Sequence, residues 1–140
     1  MKGDIMKAFT MIELIFVIVI LGILAAVAIP RLAATRDDAE IVAKSQTIVN
    51  GMSEIASFYI SQGNFVKGPK GDTDISPMSN IENPVMLRGN ACATFKVTDN
   101  NETKLIKSTD GLCANVWSTG SLAAIKDTPF SDAIIIIDNK

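Results

Sequence analysis

The chain has 140 residues, with 13 Lys plus Arg against 15 Asp plus Glu, no His and two Cys. That length fits one domain and at most an appendage. Without His, the usual general base, His-ligated metals and Ser-His or Cys-His nucleophile pairs are absent, and two Cys cannot make a Cys-only zinc site. No enzyme and no cofactor are expected, and a net charge of −2 leaves no electrostatic footprint for nucleic acid.

Composition is uneven along the chain. Residues 1–8 carry Lys2 and Lys7 against Asp4, and from Leu14 to Pro30 no side chain is charged or strongly polar. Extended back to Phe9, this run reaches about 22 residues, or roughly 33 Å as a helix, enough to cross a hydrocarbon core of about 30 Å. Beta-branched residues on every face leave no polar side for solvent, which argues against a soluble core helix. Lys2 and Lys7 favour a cytoplasmic N-terminus, while Arg31 and Arg36 on the far side weaken that bias. A cleaved secretory signal is the competing reading, with Ala25, Ala26 and Ala28 as a mimic of its cleavage site, but the run is long for one.

Glu13 breaks the pattern. A carboxylate inside an apolar span costs a few kcal/mol near the bilayer centre and less near the interface. Either it is solvated at headgroup level, or it meets a cation in the same low-dielectric layer.

The stretch Lys7-Ala8-Phe9-Thr10-Met11-Ile12-Glu13, followed by the apolar run to Pro30, resembles the class III signal of type IV pilins and type II secretion pseudopilins. The resemblance covers a short basic leader (1–8), a small residue before Phe9, Glu13 four positions after it, and Pro30. It implies that a prepilin peptidase cuts between Ala8 and Phe9 and methylates the new amine of Phe9. Ala8 stands where most members carry Gly, and Met6 is a second candidate start. It also implies assembly into a filament through the N-terminal helix, with a platform membrane protein, an assembly ATPase and other pilin-like subunits as partners. The location implied is the bacterial inner membrane, single-pass, with a periplasmic C-terminal domain. Nucleic acid is a partner only if the filament serves DNA uptake.

After the membrane run (9–30), residues 31–62 keep a helical period. Ile41, Ile48, Met52, Ile55 and Tyr59 recur at spacings of three, four or seven, with Val42, Val49 and Ala56 widening the stripe. Gly63-Asn64 is a stop signal. The whole helix would measure roughly 80 Å, too long for the following residues to bury along its length. Gly22 and Pro30 are its weak points, and a kink or local loosening is expected at Pro30.

Residues 63–140 form the remaining domain. Residues 63–84 read as loop. Ala91 to Thr98 alternate as a strand, Asp99 to Glu102 turn, and Thr103 to Ser108 return. Cys113 to Ser118 reads as a third strand, and Ala133 to Asp138 as another. The fold expected is α+β: a long N-terminal helix, its first half transmembrane, packed on a small antiparallel sheet.

Cys92 and Cys113 pair as a disulfide if the domain is exported; free buried thiols are the alternative. Asn101-Glu102-Thr103 is an N-glycosylation sequon and a candidate acceptor, although an ordinary polar turn explains it better. Asp72 and Asp74, or Asp127 and Asp132, are weak calcium candidates for which solvated loop acids are the simpler reading. Trp117 belongs in the core. The function expected is a structural subunit of a type IV pilus-like or type II secretion pseudopilus filament. The alternatives are a single-pass anchor carrying a ligand-binding domain, and a secreted binding protein.

Overall fold

A computed structural model describes residues 9–99, 101–125 and 134–138. The elements are α1 (Met11–Gln62), β1 (Val85–Leu87), β2 (Asn90–Thr98), β3 (Glu102–Lys107), α2 (Cys113–Trp117), α3 (Gly120–Ile125) and β4 (Ile134–Asp138). By its internal contacts the chain divides into two compact units between Asp37 and Asp38.

In the first unit, α1 runs unbroken through Gly22 and Pro30. Every described residue from Phe9 to Arg36 is exposed. It is long and apolar enough to cross a membrane, and none of that apolar span is buried within the protein.

The second unit is α+β. Ile41, Ile48, Met52 and Ile55 of α1 are buried against Val85, Ala93, Phe95, Val97 and Leu105 of the sheet. Their three-and-four spacing puts them on one helix face, as the 3.6-residue period requires. Gly51 lies on that face because a Cβ there would collide with Ile81 and sit 3.2 Å from the Phe95 ring. Val42 does not join the stripe; it is 54% exposed, whereas Val49 and Ala56 pack against the core. The helix ends at Gln62, where Gly63 takes φ +74 and its N–H reaches the Tyr59 carbonyl at 2.8 Å.

The sheet order is β1-β2-β3-β4. The first three strands are antiparallel, with Phe95 opposite Leu105 and Val97 opposite Thr103. β1 and β2 are joined by Arg88 (φ 49) and Gly89 (φ 87), a two-residue turn with both residues left-handed, whose twist suits a tight hairpin. Asn83 braces the centre of β2 like a short extra strand. Its Nδ2 donates to the carbonyls of Thr73 (2.6 Å) and Phe95 (2.8 Å), and its Oδ1 accepts from the Phe95 N–H at 2.9 Å.

One expectation needs correction. Residues Cys113–Trp117 are helix α2, not a third strand. Cys113, Val116 and Trp117 are its buried residues, at helical spacing; strand alternation would have buried Asn115, which is exposed. The expected antiparallel sheet is present as β1–β3, and β4 is added to its edge in parallel with β3, with Leu105 opposite Ile136. A parallel partner needs a crossover connection, and α2 and α3 lie in the chain between β3 and β4.

Candidate functional site

The first turn of α1 holds the residues singled out by the N-terminal pattern. Phe9 and Thr10 lie outside the helix, Phe9 is 83% exposed, and the helix begins at Met11. Ala8 lies outside the described residues. Thr10 is the cap: the Glu13 N–H donates to Thr10 Oγ1 at 3.3 Å. Glu13 answers it, since its Oε2 accepts from the Thr10 N–H and from the Thr10 hydroxyl, both at 2.8 Å. Together these are a reciprocal capping box, Thr-x-x-Glu, satisfying donors the helix start would otherwise leave open. In lipid such satisfaction matters more, because no water replaces the missing partner.

The sequence reading missed this pairing, although its signal was present: a Thr followed three residues later by Glu, ahead of an apolar run. The box places Glu13 in a local role that neither a solvated headgroup acid nor a lone acid awaiting a cation describes. Beyond it the helix presents a continuous apolar surface, from Leu14 at 55% exposure to Ile29 at 67%. Gly22 lies within that surface, with nothing within 4 Å of where a Cβ would stand.

The second unit carries Cys92, Cys113, Asn101 and the acidic loop residues. Cys92 in β2 and Cys113 in α2 are joined by a disulfide, as expected, and both are fully buried. It ties the sheet to α2 and not to a third strand. Trp117 is 3% exposed, as expected for a core residue, and its Nε1 donates to the Cys92 carbonyl at 2.9 Å, so one end of α2 is held covalently and the other by a hydrogen bond.

Asn101 sits in the turn before β3 at φ 59, and its Oδ1 accepts from the Phe65 N–H at 2.7 Å. Thr103, the third residue of the sequon, is completely buried. The folded turn therefore uses Asn101 to dock the 63–84 segment, and a glycosylating enzyme would find the sequon's hydroxyl enclosed.

Of the acidic loop residues, Asp72 contacts Lys67 at 3.0 Å and Lys96 at 3.6 Å, and Lys67 also reaches Asp99. Hydrogen bonding from Lys67 holds the Asp72 carboxyl below its ordinary range, and Asp99 followed by Asp72 raises Lys67 above its own. Asp74 is lowered chiefly by the backbone N–H of Lys70, then by Ser76. Asp127 and Asp132 lie outside the described residues. Among the described residues no three His, Cys, Asp or Glu side chains group as metal ligands.

No family model, no curated protein and no solved structure matches the chain.

Proposed function

We propose that the chain is a structural, non-enzymatic subunit of a filament of the type IV pilus or type II secretion pseudopilus kind, assembled through α1. The observation that carries this reading is a single carboxylate, Glu13, in the first turn of a helix whose next four turns are wholly apolar and unburied. Cutting at Ala8–Phe9 places a cationic amine one turn from that carboxylate. Two opposite charges in a low-dielectric layer attract strongly, while either one alone is penalised. Pairing between the Phe9 amine of one copy and Glu13 of the next would fix axial register, because a slipped register strands both charges among apolar side chains. The surface from Leu14 to Ile29 then exchanges lipid for neighbouring helices, leaving the disulfide-bonded sheet unit outside.

On this reading the subunit waits in the bacterial inner membrane with its sheet unit in the periplasm. Its partners are copies of itself, other pilin-like subunits, the prepilin peptidase, and a platform protein with its ATPase.

One observation favours a second reading. The capping box gives Glu13 a structural task that a simple single-pass anchor for a ligand-binding domain could also use. The mature N-terminus separates the two. Mass spectrometry of membrane-extracted protein is expected to find a chain beginning at N-methylated Phe9. A chain retaining residues 1–8 supports the anchor, and a start near Val27 or Ile29 would mean a secreted protein.

A further inference from the structure

Several charged side chains of the second unit are neutralised within it: Lys44 meets Glu82, Arg88 meets Glu40, and Lys67 and Lys96 share Asp72. Asp38 and Lys104 are not, since neither side chain makes an ion pair or hydrogen bond among the described residues. Lys104 stands directly opposite Lys96 across β2 and β3, an arrangement of like charges that destabilises a sheet. Of the two, Lys96 has a carboxylate to offset it, Asp72 at 3.6 Å. Strand alternation puts Lys104 on the face opposite Phe95 and Leu105, whereas α1 packs on the Phe95 face. Asp38 is exposed on α1, at a groove of about 320 Å³ whose other lining residues are Ile41, Val42, Asn115, Ser118 and Thr119. The Ser118 and Thr119 hydroxyls donate to the Asn115 carbonyl and keep lone pairs free to accept. An aliphatic floor edged by a carboxylate and hydroxyls complements a lysine, whose stem is apolar and whose end is a cation.

We infer that this groove receives Lys104 of a second copy, so that the outer sheet face of one subunit docks against α1 and α2 of the next. The inference rests on the filament reading above and adds to it a contact made wholly by the second unit. The two patches lie on opposite sides of one sheet, so a single copy cannot join its own Lys104 to its own Asp38. They are also unlike patches, and a contact between unlike patches leaves one of each unused at the two ends of a pair. Such a contact repeats into an open chain unless its rotation closes a ring, whereas a two-fold dimer needs the same patch on both partners. Ile106 shares the outer face with Lys104 and is half-buried, which supplies apolar area to cover Val42, 54% exposed at the groove.

The test uses the full-length chain in a membrane that carries the assembly machinery. Wild type, Asp38→Lys, Lys104→Asp and the double variant are compared, together with cells that co-express the two single variants. Each is measured for the mature N-terminus, for membrane abundance and for sheared-filament yield. Either single variant sets like charges against each other at every junction, so its yield should fall about tenfold at normal cleavage and abundance. The double variant exchanges the two charges and should recover most of the loss. Co-expressed single variants should recover as well, because the altered groove of one meets the altered sheet face of the other. Recovery on co-expression is the decisive result, since a pair formed within one chain would stay mismatched in both proteins. Wild-type yield from either single variant would overturn the inference, as would failure of the double variant or of the co-expressed pair to recover. Filaments that form normally despite both reversals remove this contact alone. If wild type forms no filament, the filament reading falls and this inference falls with it.

Discussion

The two stretches of α1 obey different rules. From Leu14 to Pro30 the helix is apolar on all sides and none of it is buried in the protein. From Asp38 to Gln62 it has a buried stripe and a polar remainder. In water the first arrangement is unstable, and only lipid or other helices can cover it. The second is the ordinary amphipathic solution, completed by the sheet. A single helix therefore carries two solvents' worth of instructions, and the change occurs close to Pro30, where the flanking charges begin. Folding of the second unit and burial of the first are then separable problems, as the proposed storage of a subunit in a membrane before assembly would require.

That separability can be broken by experiment. The largest effect is expected from Phe95→Ala, which empties the centre of the sheet core where Phe95 is fully buried beside Gly51. A loss of about 3–5 kcal/mol is typical of such a truncation. Near-UV circular dichroism of the detergent-solubilised full chain, reading the Trp117 environment, should show the second unit unfolded or close to it. Membrane association should be unchanged; if it is lost too, the two units are not independent.

Next comes the disulfide. Replacing both Cys92 and Cys113 by Ser opens a link spanning a sequence separation of 21. On the chain-entropy account this costs roughly 3 kcal/mol. Thermal unfolding should shift down by roughly 10–20 °C, with insertion again unaffected. Alkylation of untreated protein should label neither cysteine.

The smallest effect concerns the surface charges of the second unit. Asp72 and Asp74 have lowered pKa values, so their contribution is present above their ordinary 3.8 and is lost as pH falls below it through their lowered folded-state values. Lys67 is raised, so its contribution is present below 10.5 and is lost as pH rises past it. The melting temperature should thus be flat through neutral pH and decline slightly at either extreme. Lys67→Met should blunt the acid limb, because Lys67 is the main cause of the Asp72 shift. Exposed pairs of this kind contribute little, so a large acid transition would point to a different group.

Much of the fold was legible because its periods were unambiguous. Ile41, Ile48, Met52 and Ile55 could only share a helix face, and Ala93, Phe95 and Val97 could only share a strand face. The segment Cys113-Ala-Asn-Val-Trp117 was not legible in the same way. Both periods place Cys113 and Trp117 together, and the burial of Val116 with the exposure of Asn115 decides between them. The hairpin at Arg88-Gly89 escaped because β1 is three residues long and Arg is unusual at a left-handed position. The parallel placement of β4 depends on a crossover, which no local pattern in residues 134–138 encodes. At the candidate site, Glu13 was conspicuous as a charge in an apolar run, whereas Thr10 looked like one more small polar residue. Its role became visible only as a hydrogen-bonding partner.

The most direct measurement is filament yield from Glu13→Leu, with membrane abundance and the mature N-terminus as controls. A plain anchor loses a helix cap but sheds a carboxylate from the apolar layer, so its insertion and abundance should change little. A filament subunit loses the partner of the Phe9 amine at each interface. The account predicts a protein that is inserted and cut at Phe9 but assembles poorly, with Glu13→Gln also failing in large part and Glu13→Asp retaining partial assembly. Filaments at wild-type yield from Glu13→Leu, at normal abundance, would contradict it.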